Sequence, residues 1–466
     1  MSYYGAYVGI FPKSDFARIS STANTVPLGQ LVIATSVRYR FSSLPVKVFD
    51  GDITNEDEIC SEIRQIAGNN KKVLVGITLQ AGNIGSALQI AQRLTNVSNN
   101  NCDVIMGGPE AWMGWLQFGK EMLADKAFIK GLVIGAGEHV VPLLIESGIS
   151  YELPGVVVRD STTGKLKPCS RGPSLIDFLA VHVDYNLLNN ISKTNGISYL
   201  WKLDCTQAGT RCYFCGRPSY GNGFRNPPQV WQEITSAVNK YENIKVLYNV
   251  ADSIASSKRD LRNFIRMMPT RIGRGHIYHR IFINTCEIDS EIIDILTRLN
   301  AIAAVGIESY TLFDKVGKAR TSMNDNERAI KYLHDAKIPM ILSFVLGLPT
   351  ESLETLEQTG EWIYNIAKKY YPTIASFEIS PLLVTTGSRA FKDIWARRRR
   401  QFQHLVPPID PVQMTREYFL EMCNRLTREA TVKFIAGLAK QINLVSRDIS
   451  IDVKGLLIEE VKQYFS

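Results

Sequence analysis

The chain has 466 residues, 45% of them apolar and 21% charged, the make-up of a globular protein long enough to bury a sizeable core. A collagen, a disordered tail and a small disulfide-stapled scaffold are thereby excluded, and at about 150 residues per domain the length predicts two or three domains. The net charge of +8 admits anionic partners without demanding nucleic acid, so no nucleic-acid partner is expected.

The opening stretch MSYYGAYVGI lacks the basic start, apolar run and cleavage site of a secretory leader, and no window reaches the ~18 consecutive apolar residues that cross a bilayer. A cytoplasmic location without a membrane partner is expected. A proline-opened helix is predicted over 27–38, a β-branched strand over 46–49, a helix over 55–67 and an apolar strand over 73–78 (VLVGIT). A helix over 85–94 follows, then a strand over 104–106 running into Gly107-Gly108-Pro109. A strand over 132–134 leads into Gly135-Ala136-Gly137-Glu138 and a helix through Ile145. Alternating strands and helices imply a parallel sheet covered on both faces. Residues 1–150 therefore read as an α/β, Rossmann-like doubly wound domain whose ligands sit at the carboxyl ends of its strands.

Residues 151–195 are less regular, apart from a short strand at 155–158 and a turn at Thr162-Thr163-Gly164, and read as a linker. The α/β rhythm then resumes, with strands at 199–203, 246–250, 281–284, 303–307, 340–346 and 376–379 and helices between them. Six such units in about 190 residues predict a partial (β/α) TIM-type barrel over 196–395. Residues 396–466 read as a C-terminal helical extension packed outside. Arg397 to Arg400 read as a solvated helix face.

Eight cysteines are present. Cys60, Cys102, Cys169, Cys286 and Cys423 are scattered and read as small buried hydrophobes. Cys205, Cys212 and Cys215 fall together in LDCTQAGTRCYFCG, a C-x6-C-x2-C spacing directly after a predicted strand. Thiolates are soft ligands that favour iron–sulfur clusters, zinc or copper(I). Structural zinc needs a fourth Cys or His, and none is near: the one close pair of histidines, His276 and His279, lies more than 60 residues on. Three thiolates on a [4Fe-4S] cluster leave one iron without a protein ligand and open to a substrate. On donor chemistry alone an iron–sulfur centre leads, with zinc and a metal-free loop as the other readings.

The cysteine segment resembles the cluster loop of radical S-adenosylmethionine (SAM) enzymes, which carry C-x3-C-x-aromatic-C after their first barrel strand. Cys212-Tyr213-Phe214-Cys215 matches the second half. The usual spacing would put the first cysteine at Ala208, whereas Cys205 lies three residues upstream. Val305 to Ser309 (VGIES), Lys318 to Ala329, Leu342 to Ser352 (LSFVLGLPTES, with Thr350 in place of a glycine), Thr386-Gly387-Ser388 and Val246 to Ser253 resemble later family segments in the right order. The first 150 residues resemble the cobalamin-binding domain that precedes many of these enzymes, through Pro27-Leu28-Gly29, VFDGD at 48–52, VGIT at 75–78, MGGP at 106–109 and GAGE at 135–138. The D-x-H-x-x-G that supplies a lower-ligand histidine is absent.

The resemblance implies an enzyme that uses a [4Fe-4S] cluster to cleave SAM and make a carbon radical on a small-molecule or peptide substrate, with cobalamin as a candidate second cofactor and methylation or rearrangement as outcomes. It implies Cys205, Cys212 and Cys215 on iron, and Phe214, Asp252, Glu308 and Ser309 around SAM. It further implies Thr78, Gly107, Gly108, Pro109, Gly137 and Glu138 around cobalamin, and a reductant such as flavodoxin or ferredoxin. Asp252 reads equally as a helix cap, and Glu308 and Ser309 as a capped strand end. The alternatives are transfer of another SAM fragment without cobalamin, cleavage of a different C–S bond, and a zinc-stabilised or non-catalytic binding protein on the same fold. The basic stretch with Arg271, Arg274, His276, His279 and Arg280 reads as a solvated loop or as a face for an anionic substrate.

Overall fold

The computed structural model of the chain describes residues 2–19, 26–69, 72–97, 101–150, 152–160, 162–167, 172, 175–177, 181–203, 205, 211–218, 223–273 and 277–465. Cys169, Ala208, Arg274 and His276 lie outside these.

Strands β1 (Ala6–Phe11) and the short β2 (Ala17–Ile19) precede β3 (Val46–Asp50), β4 (Val73–Thr78), β5 (Cys102–Gly107), β6 (Ile129–Val133), β7 (Val156–Arg159) and β8 (Leu166–Lys167). All but β2 form one sheet in the order β3-β1-β4-β5-β6-β7-β8. Its first five members are parallel, and β7 and β8 are antiparallel additions. The apolar runs in β1, β4 and β5 are buried almost throughout, as a sheet covered on both faces requires. The doubly wound expectation is met. From β1 the chain first goes to β3 on one side, and every later strand lies on the other. The reversal therefore falls between β1 and β4, where open α/β sheets leave a ligand crevice outside the strand ends.

β1 is a strand that periodicity did not predict. Gly9 interrupts its apolar run, and a Cβ there would stand 2.5 Å from Gln30 Oε1, so the glycine makes room for the helix Leu28–Arg40 to pack against the sheet.

The second sheet contains β9 (Gly196–Tyr199), β12 (Val246–Asn249), β13 (Tyr278–Ile283), β14 (Ala301–Glu308), β15 (Met340–Leu346), β16 (Ile374–Pro381) and β17 (Ser450–Leu456). A separate antiparallel ribbon pairs β10 (Lys202–Leu203) with β11 (Gly223–Phe224). The order is β2-β17-β16-β15-β14-β13-β12-β9, with all strands parallel except β2. The six predicted barrel strands are therefore present in sequence order.

Two expectations are corrected. The first barrel strand ends at Tyr199 rather than running over 199–203. ISYLWKL is apolar on both sides of that point, but β12 offers only four residues, and the ladder stops at the Asn249–Tyr199 pair. Residues after 400 are not all helical: β17 (SIDVKGL) adds a seventh parallel strand to the barrel sheet. Its Asp452 and Lys454 interrupt the apolar pattern, because Lys454 reaches the carboxylate of Glu378 on the neighbouring strand at 2.9 Å.

One apolar cluster fills the far face of the first sheet around Ile59, Ile90 and Met106. A second includes Tyr7, Val48 and Leu74 from the near face and continues through Val181, Tyr185 and Ile197 into the barrel core. The Asn189 N–H donates to the Val48 carbonyl at 2.8 Å and the Tyr185 hydroxyl to the Ser198 carbonyl at 2.8 Å, so the predicted linker is pinned to both sheets. Among the described residues no helix is long and apolar enough to cross a membrane.

Candidate functional site

A cavity of about 530 Å³ lies in the crevice at the β1/β4 reversal, within the size range of cofactor pockets. On one side it is bounded by Phe11, Thr78 and Gly107 at strand ends, and on the other by Ser198 of β9 and Tyr248 of β12. All six residues predicted for a cofactor in this half, Thr78, Gly107, Gly108, Pro109, Gly137 and Glu138, line it. Gln30, which sequence reasoning missed, organises its floor: Nε2 donates to Thr78 Oγ1 at 2.8 Å, and Oε1 accepts from the Tyr7 hydroxyl at 3.1 Å.

Gly108 has φ +99°, and a Cβ would stand 2.9 Å from the Leu79 carbonyl oxygen. Only glycine fits, which leaves bare backbone facing the cavity. Glu138 is 6% exposed, its Oε1 has no partner among the described residues, and burial pushes its carboxyl pKa upward. No histidine is among the described residues that line the cavity.

The cysteine loop adjoins this cavity: Leu203 before it and Arg217 after it both line the wall. The Cys215 N–H donates to the Cys212 carbonyl at 3.0 Å, which closes a tight turn. The Tyr213 N–H donates to the Val316 carbonyl at 2.8 Å, and the Tyr213 hydroxyl to Asp393 at 2.9 Å. The segment after β14 and the helix after β16 therefore hold the loop between them. Burial pushes the Cys212 thiol up to about 12, opposed by the charge of Lys318, and Cys205 and Cys215 both lie within electrostatic reach of it. The structure thus places Cys205 and Cys215 near enough to Cys212 for their charges to act on it.

Among the described residues no three Cys, His, Asp or Glu side chains converge on one ion position, and no disulfide joins the described cysteines. Three soft donors on one loop are the donor type that iron–sulfur clusters take.

The predicted carboxylates surround the same loop. β14 ends in a bulge, and Glu308 beyond it has φ +70°. Its Oε1 pairs with Lys318 Nζ at 2.7 Å, and Nζ also donates to the Gly306 carbonyl at 2.6 Å. Lys318 is a partner that periodicity gave no sign of. The Leu312 N–H donates to Ser309 Oγ at 3.1 Å, so Ser309 does cap the turn after the strand. Asp252 pairs with Arg217 and does not cap the following helix, Lys258–Arg266, which is capped by Ser257, accepting from the Asp260 N–H. Phe214 is partly buried, and its carbonyl accepts from the Thr385 hydroxyl at 3.4 Å.

The loop after β15 carries two readable anomalies. Thr350, standing where the resembled family has glycine, has φ +70°. A β-branched residue there is strained by about 1–3 kcal/mol. Thr350→Gly is expected to stabilise the fold by about 1 kcal/mol after the entropy cost of glycine, read from urea unfolding.

Next to it, buried Glu351 accepts N–H bonds from Gly347 and Leu348 while its Oε1 has no partner among the described residues. Burial raises its carboxyl pKa to about 7 despite those bonds. A raised carboxyl pKa makes the folded state hold its proton more tightly. Its stabilising contribution is full below the ordinary value of 4.5 and is lost as pH rises through about 7. Glu351→Gln is expected to flatten the fall of melting temperature between pH 5 and pH 8, measured by thermal denaturation in matched buffers.

Of the described members of the basic stretch, His279 and Arg280 are turned to the interior. His279 is fully buried beside Trp231, its Nδ1 lies 3.2 Å from the Tyr199 hydroxyl, and burial lowers its pKa to about 3. Arg280 is spent on a buried pair with Glu378, and Arg271 is exposed. Of the four arginines at 397–400, Arg397, Arg399 and Arg400 are exposed as expected, while Arg398 pairs with Glu421.

Residues 205–363 match the family model described as the radical SAM superfamily. The chain resembles the radical SAM methyltransferase TsrM from Kitasatospora setae with tryptophan substrate and the SAM analogue aza-SAM bound: TM-score 0.67, 15% identity, 95% of this chain and 89% of that one covered. It also resembles the cobalamin-dependent SAM radical enzyme OxsB with aqua-cobalamin and SAM bound: TM-score 0.66, 12% identity, 88% and 63% covered. At these identities the likeness is one of fold. A curated relative, the anaerobic magnesium-protoporphyrin IX monomethyl ester cyclase of Cereibacter sphaeroides, is 21% identical over 323 residues, 65% of this chain and 51% of that protein. The chain thus spans about half the length of that relative.

Proposed function

From a chain that carries a radical SAM domain, we propose a radical SAM enzyme that holds a [4Fe-4S] cluster through Cys205, Cys212 and Cys215, binds cobalamin in the adjoining cavity and methylates a small-molecule or peptide substrate. The observation that carries this reading is the adjacency of the two places: the residues flanking the cysteine loop, Leu203 and Arg217, also form the wall of the cavity at the β1/β4 reversal. The TsrM structures, one with cobalamin and a [4Fe-4S] cluster bound and one with tryptophan substrate and aza-SAM bound, support the same choice.

When bound, the cluster supplies one electron to the SAM sulfonium, and cobalamin supplies a methyl carrier. The chain's own residues bind and orient. Phe214 edges the adenine of SAM, and Glu308, Ser309 and Asp252 meet its polar groups at the strand ends. Lys318 and Arg217 pair with two of these carboxylates and hold them in place. Gly107, Gly108 and Pro109 give a bulky ring flat access to backbone, with Thr78, Gly137 and Glu138 around it. The unpartnered Glu138 oxygen suits an amide donor of the corrin periphery. The apolar walls of the cavity exclude water. The reductant is a flavodoxin or ferredoxin, and the location is cytoplasmic.

Anaerobic purification and cluster reconstitution test this. About four irons and four sulfides per chain, a reduced electron paramagnetic resonance (EPR) signal that shifts on adding SAM, and saturable binding of hydroxocobalamin in the visible spectrum are expected. A colourless protein with one tightly held zinc would overturn the reading.

A further inference from the structure

The cavity and the cysteine loop are connected through a helix whose Glu110 neither the resemblance nor the expected site included. The turn Gly107–Pro109 lines the cavity and opens the helix Pro109–Phe118. The second residue of that helix, Glu110, is 4% exposed, and its carboxyl accepts a hydrogen bond from the Thr386 hydroxyl. One turn on, Met113 packs on Gly387, where a Cβ would stand 2.2 Å from its Cε. Two contacts at i and i+3 seat the helix on the segment Thr385–Gly387.

That segment buttresses the cysteines from behind. The Thr385 hydroxyl donates to the Phe214 carbonyl at 3.4 Å. Gly216 lies so close that a Cβ would meet Thr385 Oγ1 at 2.5 Å and the Thr386 carbonyl oxygen at 2.6 Å. At its far end the same helix meets the barrel again, with Phe118 5.4 Å from the ring of Trp395. A shift of the cavity-lining turn therefore moves Glu110, and Glu110 moves the support of the loop.

We propose that Glu110 is a positioning residue that transmits the placement of the cavity-lining turn to the cysteine loop, so that filling the cavity sets the geometry at the thiols. This rests on the cluster and cavity assignments above. The buried glutamate bonded to a threonine is a tight relay, since a buried acceptor that loses its donor has no water to replace it.

Hydrogen exchange of the loop amides at 211–217 tests the relay in the chain as purified, with no cofactor needed. Glu110→Ala and Thr386→Val are each expected to speed that exchange about tenfold. Glu110→Gln, which still accepts from the hydroxyl, is expected to restore it, and amides of the first sheet should be unaffected in all three. In reconstituted protein, hydroxocobalamin should alter the EPR signal of the reduced cluster in the wild-type chain and in Glu110→Gln, but not in Glu110→Ala. Wild-type loop exchange in both Glu110→Ala and Thr386→Val would overturn the proposal, as would equal loss in Glu110→Ala and Glu110→Gln. If the wild-type chain binds no hydroxocobalamin while exchange still responds to Glu110, the cobalamin assignment fails and the positioning role stands. If Glu110→Ala does not fold, Thr386→Val, of nearly the same volume, decides alone.

Discussion

Replacing Cys205, Cys212 or Cys215 singly by alanine is expected to reduce bound iron after reconstitution to below about one atom per chain and to abolish SAM cleavage, a loss of at least about a thousandfold. The reason is ligand count. Each iron of a cubane needs a fourth ligand, and a cluster with only two protein thiolates is open at two corners. The comparison among the three variants is informative, because Cys212 and Cys215 sit in a tight turn with matching spacing whereas Cys205 lies three residues from the expected place. Equal loss in Cys205→Ala would establish it as the displaced first ligand. Retention of iron in that variant would show the loop to hold its cluster through two cysteines and another donor. Cys423→Ser is the control, since Cys423 is buried behind the loop after β15 and its thiol touches the carbonyls of Gly347 and Leu348. Iron and sulfide assays with the EPR spectrum of the reduced protein provide the measurement.

Lys318→Met is expected to cost about 3–5 kcal/mol of stability, among the largest single-residue effects on this chain. Lys318 and Glu308 are 6% and 10% exposed, so removing the ammonium leaves a carboxylate buried without its counter-charge, beside thiols that would themselves become anionic on binding metal. Gly306 is part of the same device. A Cβ there would stand 2.3 Å from Glu308 Oε1 and 2.9 Å from Lys318 Nζ, so the glycine exists to let the pair close over the backbone. The double variant Lys318→Met with Glu308→Gln is expected to recover part of the loss, because it buries no net charge. Urea unfolding of the cluster-free protein under reducing conditions gives the three values. A loss below about 1 kcal/mol for Lys318→Met, the range of a surface pair, would mean that water reaches the Glu308 carboxylate.

Much of the architecture was legible because it depends on local periodicity. Apolar runs such as VLVGIT and MILSFVL are long enough to declare buried parallel strands, and the amphipathic stretches between them declare the crossover helices. The elements that escaped were those whose status depends on partners. β1 hides behind Gly9, which is read as a breaker until Gln30 is seen against it. β17 carries a lysine and an aspartate that look like surface until Glu378 is found alongside. The end of β9 was invisible in ISYLWKL, because the length of the neighbouring strand ended the ladder.

The site divides in the same way. Order along the chain and residue type determined that three thiols share one loop after an early barrel strand, and that glycine-rich turns follow successive strands of the first sheet, since spacing and the lack of a Cβ are properties of the sequence itself. Tertiary structure alone decided that those turns and the residues flanking that loop line a single cavity, that Lys318 and Arg217 pair with Glu308 and Asp252, and that Glu110 meets Thr386. Glu110 and Thr386 are 276 residues apart. Charge pairing and hydrogen bonding at such separations leave no local pattern, because they are set by which surfaces meet once the two sheets have packed on their shared core.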